Sequence, residues 1–251
     1  MKMTIGKFID LLNYLGIPLL LIYVLSMVVY PAIEGGTWAH VHSVWHSWQT
    51  LNVGVLAFLS SLIAFNISKY NAEEQRKREL IASTSFLPQA LSGLSQHLNG
   101  CAHILSQAWE QTRNEESFKA GSFEGLGGGW DQAAEKSIYE CIRHADTPLA
   151  NHLASILSKL QISDARIMGL SSTKGLSSNW NVRRHTIESY LYGVAELQAL
   201  INLVFPYSRG MQEFSAVSVG IEQLNNAYMC LDLESEIIDG IQEYTKRNVA
   251  K

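Results

Sequence analysis

No charged residue occurs between Leu11 and Ile33, and none between Gly35 and Ser68. A water-soluble fold needs polar positions at helical or strand spacing to face solvent, and these runs offer few. A bilayer removes the requirement: its apolar core of ~30 Å is crossed by about 20 mostly apolar residues in a helix. The two runs therefore predict membrane helices over residues 8–30 and 48–68. Lipid offers the backbone no hydrogen-bond partners, so helix is the form such segments take, and Gly16 and Pro18 are tolerated there with a local kink. A cleavable signal peptide fits less well. Its apolar run would be shorter, roughly 7–15 residues, and an A-x-A-like site would follow.

Cations set the direction of insertion. Lys2 and Lys7 precede the first run, and Lys69, Arg76, Lys77 and Arg78 follow the second. The connection 31–47 contains neither Lys nor Arg. The positive-inside rule then places both termini in the cytoplasm and the connection outside. The chain divides into a hairpin, residues 1–69, and a cytoplasmic region, residues 70–251.

The connection carries an unusual stretch, GTWAHVHSVWHSW, with His40, His42 and His46 among Trp38, Trp45 and Trp48. His42 and His46 are four apart, which on a helix puts two imidazoles on one face, as a zinc site requires. Only Glu34 and His40 stand near to complete it. Indole rings favour the membrane–water boundary, and that interfacial reading is preferred to a metal- or proton-sensing one.

Within the second run, Gly54, Ala57, Ser60, Ser61 and Ala64 recur at spacings of three and four. Small residues so placed let two helix backbones approach closely in lipid, where packing must supply the attraction. The first span or a second copy of the chain would be the partner, and a homo-oligomer is one expected outcome.

Beyond residue 69 the pattern is helical throughout. KYNAEEQRKREL pairs Glu73 and Glu74 with Lys77 and Arg78 at i,i+4, as a solvated continuation of the second span. Leu87, ahead of Pro88, is expected to leave helical geometry. Leu87, Leu91, Leu94, Leu98, Cys101, Ile104, Leu105 and Ala108 then form an amphipathic stripe. A loop is expected near 111–130, where Gly127, Gly128 and Gly129 lack the ending of a phosphate-binding loop. Asp131 is placed as an N-cap, and a further helix starts at Asp146-Thr147-Pro148. Ser171–Asn179 is read as a loop, and a helix as running from about Asn181 to Phe205, ended by Pro206. The last part holds one helix or two, broken near Asn225. The fold class is all-α: a transmembrane hairpin followed by a cytoplasmic bundle of about five helices.

Chemistry is sparse. His97, His103, His144, His152 and His185 fall into no catalytic or metal-binding spacing, and no nucleophile elbow or H-E-x-x-H occurs. Cys101, Cys141 and Cys230 are scattered and read as small hydrophobes of a reducing compartment. No enzyme activity, cofactor or resident metal is expected. The net charge of −4 gives no reason to expect binding to nucleic acid. Arg183 and Arg184, beside His185, form a basic patch that could meet a partner's acidic surface, and Asp232, Glu234, Glu236 and Asp239 form an acidic one.

The second span and its exit, LAFLSSLIAFNISKYNAEEQRKREL, followed by FLPQALSGLSQHL, resemble the two-transmembrane effectors carried beside retron reverse transcriptases in bacterial anti-phage defence. The resemblance covers only these two stretches and transfers no functional residue. It implies a bacterial inner-membrane effector, silent until infection disturbs a reverse transcriptase–DNA partner. Such an effector then disrupts the membrane and aborts the infection. A membrane-tethered scaffold for a cytoplasmic partner, and a sensor using the external His/Trp segment, are the competing classes.

Overall fold

The computed structural model describes residues 14, 16, 18–114, 117–119, 130–171 and 181–249. Their contacts divide the chain into two units, Met1–Ala72 and Glu73–Lys251. Nine helices and one two-stranded ribbon make up the described residues.

The first unit holds α1 (Pro18–Gly35), α2 (Trp38–Ser47) and the first two-thirds of α3 (Gln49–Thr84). Helices α1 and α3 are long and apolar enough to cross a membrane, and only 11% and 6% of their apolar windows are buried. Neither is therefore the covered core helix of its unit. The apolar runs of both carry side chains that no described residue covers, Leu21, Ile22, Leu56, Phe58 and Ile63 among them.

The connection, whose form the sequence left open, is mostly helical. Tyr30–Gly35 continues α1, Gly36 turns the chain with φ +58°, and Trp38–Ser47 forms α2. Glycine at Gly36 is required because that left-handed conformation strains any residue with a Cβ. One residue, Trp48, separates α2 from α3.

The second unit packs six helices around one apolar core: α4 (Leu87–Asn114), α5 (Gln132–His144), α6 (Thr147–Ser171), α7 (Arg184–Ser208), α8 (Ile221–Cys230) and α9 (Ser235–Val249). All eight stripe positions read from Leu87 to Ala108 are buried. Helix α7 is the centre. It packs on α4, α6, α8 and α9, while α5 packs on both α4 and α6. Helices α4 and α6 thus face each other across α5 and α7. A central helix must be apolar on more than one side, and Val194, Ala195, Leu197, Ala199 and Ile201 are all buried.

Several boundaries differ from the reading of the sequence. Leu87 is helical, because Pro88 sits in the first turn of α4, where its missing N–H matches a donor that has no partner anyway. Pro206 lies inside the last turn of α7, which runs on to Ser208. A proline there removes only one helical bond. The C-terminal part breaks at residues 231–234 rather than near Asn225, with Asp232 at φ +52°. Asp131 caps α5 as expected, its carboxylate accepting from Ala133 N–H at 2.9 Å. Within stretches read as a loop and a helix start, β1 (Ser117–Lys119) pairs antiparallel with β2 (Asn181–Arg183), Phe118 opposite Val182. The remaining residues of the two expected loops, 115–116, 120–129 and 172–180, lie outside the described ones.

Buried phenols make this unit sensitive to alkali. The Tyr228 hydroxyl donates to Thr245 Oγ1 at 2.7 Å, and Thr245 donates onward to the Ile241 carbonyl at 3.0 Å. Burial raises the Tyr228 pKa from 10.0 to about 12, and burial also raises those of Tyr190, Tyr192 and Tyr207. The folded value lies above the unfolded one, so the stabilisation is complete below the unfolded pKa and is lost as pH rises through the folded one. Two pH units at one phenol correspond to roughly 3 kcal/mol. The denaturant midpoint is expected to fall steeply between pH 10.0 and 12, with a shallower fall in Tyr228→Phe. Equal slopes for the two proteins would refute this account.

Candidate functional site

In the first unit, polar groups pin the turn between the two apolar helices. Residues Leu25–Val29 form a π-helical turn just ahead of Pro31. In an unbroken α-helix the N–H of residue 31 would serve the Met27 carbonyl, and proline has none. The Trp45 indole takes its place, Nε1–H donating to Met27 O at 2.9 Å. Asn52, 4% exposed, ties the rest together. Its Oδ1 accepts from the Tyr23 hydroxyl at 2.6 Å and its Nδ2 donates to the Trp45 carbonyl at 3.0 Å. Three segments separated in sequence thus share one hydrogen-bonded knot. In an apolar environment each such group would be costly to leave unpaired. Trp45→Phe keeps the ring and removes the donor. It is expected to weaken the hairpin by about 1–2 kcal/mol, read as earlier unfolding in mixed detergent–dodecyl sulfate micelles. Unchanged resistance would mean that the carbonyl is served from elsewhere.

The histidines of this segment lie on α2, as their spacing suggested, and all three are exposed. His42 and His46 line a groove of about 450 Å³ with Val28, Trp38, Val41 and Trp45. Among the described residues, they meet no third donor that would make a metal-binding group with them. Trp38 and Trp48 are 75% and 55% exposed, whereas Trp45 is part of the knot.

Among the described residues, none packs closely on the small residues of α3. Gly54, Ala57, Ser60, Ser61 and Ala64 are exposed, and a Cβ built on Gly54 would have nothing within 4 Å. A different face of α3, Asn52, Val55, Leu59, Leu62 and Asn66, carries its better-covered positions. The Ser60 and Ser61 hydroxyls donate to the carbonyls of Leu56 and Ala57 at 2.8 and 2.9 Å. They are thereby satisfied within the helix and leave a smooth, narrow strip.

In the second unit, the end of α3 meets α5. His144 Nδ1 lies 3.1 Å from Glu79 Oε2, and its Nε2 lies 3.7 Å from Glu140 Oε2. They border a groove of about 490 Å³, with Ser83, Phe86, Lys136 and Arg143 along it. The basic patch lies at the junction of β2 and α7. Arg183 is exposed, whereas Arg184 stacks on the Trp109 ring, 4.1 Å from its centroid, and reaches Glu188 at 3.9 Å. Arg184 therefore has a packing partner in its own chain.

One cluster of chemically active side chains went unnoticed in the sequence. His97 and Cys101, four apart on α4, converge with Asp164 of α6. His97 Nε2 lies 2.8 Å from Asp164 Oδ1 and 3.7 Å from Cys101 Sγ. This is not the relay of a cysteine nucleophile. A relay needs the thiol on one ring nitrogen and the carboxylate on the other, and here a single nitrogen faces both. Burial, helped by the Asp164 carboxylate, raises the Cys101 thiol to about 12, so it is not a ready thiolate. Cys141 is buried too, but Cys230 is exposed, so it is no core residue. The i,i+4 spacing of His97 and Cys101 was visible in the sequence; Asp164 was not.

No family model matches this chain. Neither does any curated protein or solved structure.

Proposed function

We propose that this chain is a two-pass inner-membrane effector, both termini in the cytoplasm, whose helical unit governs self-association of a two-helix membrane hairpin. The observation that carries the reading is the exposed small-residue strip of α3. Two apolar helices uncovered by the fold belong in lipid, and the absence of Lys and Arg from 31–47 orients them. Once there, a narrow strip with satisfied hydroxyls is a surface on which a second copy can pack. The helix bearing that strip runs without interruption to Thr84, where Glu79 is engaged by His144 of α5. Changes in the helical unit therefore have a continuous helix on which to act.

The biological setting we propose is retron-type anti-phage defence, with a reverse transcriptase–DNA complex as the restraining partner and membrane disruption as the output. The resemblance of residues 56–80 and 86–98 to such effectors supports it. Overexpression without the partner is expected to collapse the membrane potential, followed with a potential-sensitive dye. Harmless accumulation in the membrane would point instead to a tethered scaffold. Co-expression with a neighbouring reverse transcriptase and its DNA should restore the potential. Charge reversal at Arg183 and Arg184 tests whether the basic patch contributes to that restraint.

A further inference from the structure

The His97–Cys101–Asp164 cluster is unexplained by the membrane reading, and its donor set has its own chemistry. The three ligand atoms, one nitrogen, one sulfur and one oxygen, all lie within 4.8 Å of one another. With zinc bonds of about 2.0–2.3 Å, ligand atoms at tetrahedral angles stand roughly 3.3–3.7 Å apart. The sulfur–nitrogen separation of 3.7 Å already suits that geometry. The nitrogen–oxygen separation of 2.8 Å is that of a hydrogen bond, and a small opening of Asp164 would bring it into range. The His97 and Asp164 side chains are only 9% and 16% exposed, and Cys101 is fully buried.

Placement also favours a ligand. Helices α4 and α6 face each other across α5 and α7, and helical cores build their metal sites from side chains on facing helices. Two donors at i,i+4 on one helix and one on the opposite helix form that arrangement. A buried thiol in a leucine stripe needs neither a histidine nor a carboxylate beside it. The mixture of a soft thiolate, an imidazole and a hard carboxylate suits zinc rather than calcium or magnesium.

We propose that His97, Cys101 and Asp164 bind one Zn²⁺ ion, cross-linking α4 to α6, with solvent in the fourth position. On binding, the Cys101 thiol gives its proton to solvent and coordinates as thiolate, His97 binds through Nε2 and Asp164 through Oδ1. Metal binding at this site is independent of what the hairpin does and is read directly from the metal.

The test uses full-length protein in detergent micelles, stripped with chelator, kept reduced and titrated with Co²⁺. A sulfur-to-cobalt charge-transfer band saturating at one equivalent, and bleached by Zn²⁺, is expected. Cys101→Ser should abolish the band, and Cys230→Ser, at the exposed thiol, should leave it intact. Asp164→Asn and His97→Gln should weaken Co²⁺ binding by roughly tenfold or more. These two variants, checked by circular dichroism, decide the matter if Cys101→Ser fails to fold. No band at saturating Co²⁺, a band that vanishes with Cys230 instead of Cys101, or unchanged affinity in Asp164→Asn would overturn the assignment.

Discussion

If the chain is the membrane effector proposed above, leucine at both Gly54 and Ala57 is expected to abolish the depolarisation that overexpression should cause, with the protein still in the membrane fraction at normal abundance. Both positions are exposed, and among the described residues nothing outside its own helical turn lies within 4 Å of a Cβ built on Gly54. Added bulk there does not disturb the hairpin's own packing. It does hold a second helix away, and close backbone approach is what small residues provide in lipid. Loss of about 1.4 kcal/mol per contact lowers association tenfold, and a symmetric contact counts the change on both copies. Phenylalanine at Ile63, exposed on the side of α3 opposite Gly54, serves as the control and should leave depolarisation unchanged. Full activity in the Gly54/Ala57 double variant, with crosslinking between copies also unchanged, would remove the small-residue strip from the mechanism.

Trp109→Ala is expected to produce the largest loss of stability in the helical unit, about 4 kcal/mol. Three helices meet on that ring. Trp109 of α4 is 1% exposed, Arg184 of α7 stacks on it at 4.1 Å, and α9 comes so close that a Cβ on Gly240 would stand 2.5 Å from Trp109 Cζ2. Truncation removes the apolar contact area and the surface on which the Arg184 guanidinium rests. In the opposite direction, Gly240→Ala overfills the same contact and is expected to cost roughly 1–3 kcal/mol. Denaturant unfolding followed by far-ultraviolet circular dichroism measures both, using the full chain in micelles. A Trp109→Ala loss under about 1 kcal/mol would show that the site collapses readily, in contrast to a well-packed core. The result also bears on the basic patch. If Arg184→Ala weakens the fold, partner effects at that position must be separated from stability, whereas Arg183 is free of this stacking.

The helical stripe from Leu87 to Ala108 was legible because it is a local signal: every third or fourth side chain on one helix repeats the same chemistry, whatever the helix packs against. The same reasoning placed the Asp131 cap and the start of α6 at Thr147, since capping involves only a few neighbouring residues. It failed for β1 and β2, three residues each, which are too short for an alternating pattern and exist only because they find each other. Proline misled twice. Pro88 and Pro206 were read as helix breakers, yet each lies in a terminal turn where its cost is small.

The candidate sites divide in the same way. The strip at Gly54, Ala57, Ser60, Ser61 and Ala64 lies on one helix and could be read directly. Asn52 is one polar residue in an apolar run, and only the return of the chain brings Tyr23 and Trp45 to it. His97 and Asp164 are 67 positions apart, and no spacing rule connects them.

From its amino acids alone, this chain is committed to two long uncharged apolar runs that form helices and to a helical remainder, because hydropathy and period are properties of neighbouring residues. Which side chains meet across helices, the knot at Asn52, the stack at Trp109 and the convergence on Cys101, was decided only by tertiary structure. Those meetings follow from how helices of particular length and crossing bring remote residues within bonding distance, and that geometry is not written in any local stretch of chain.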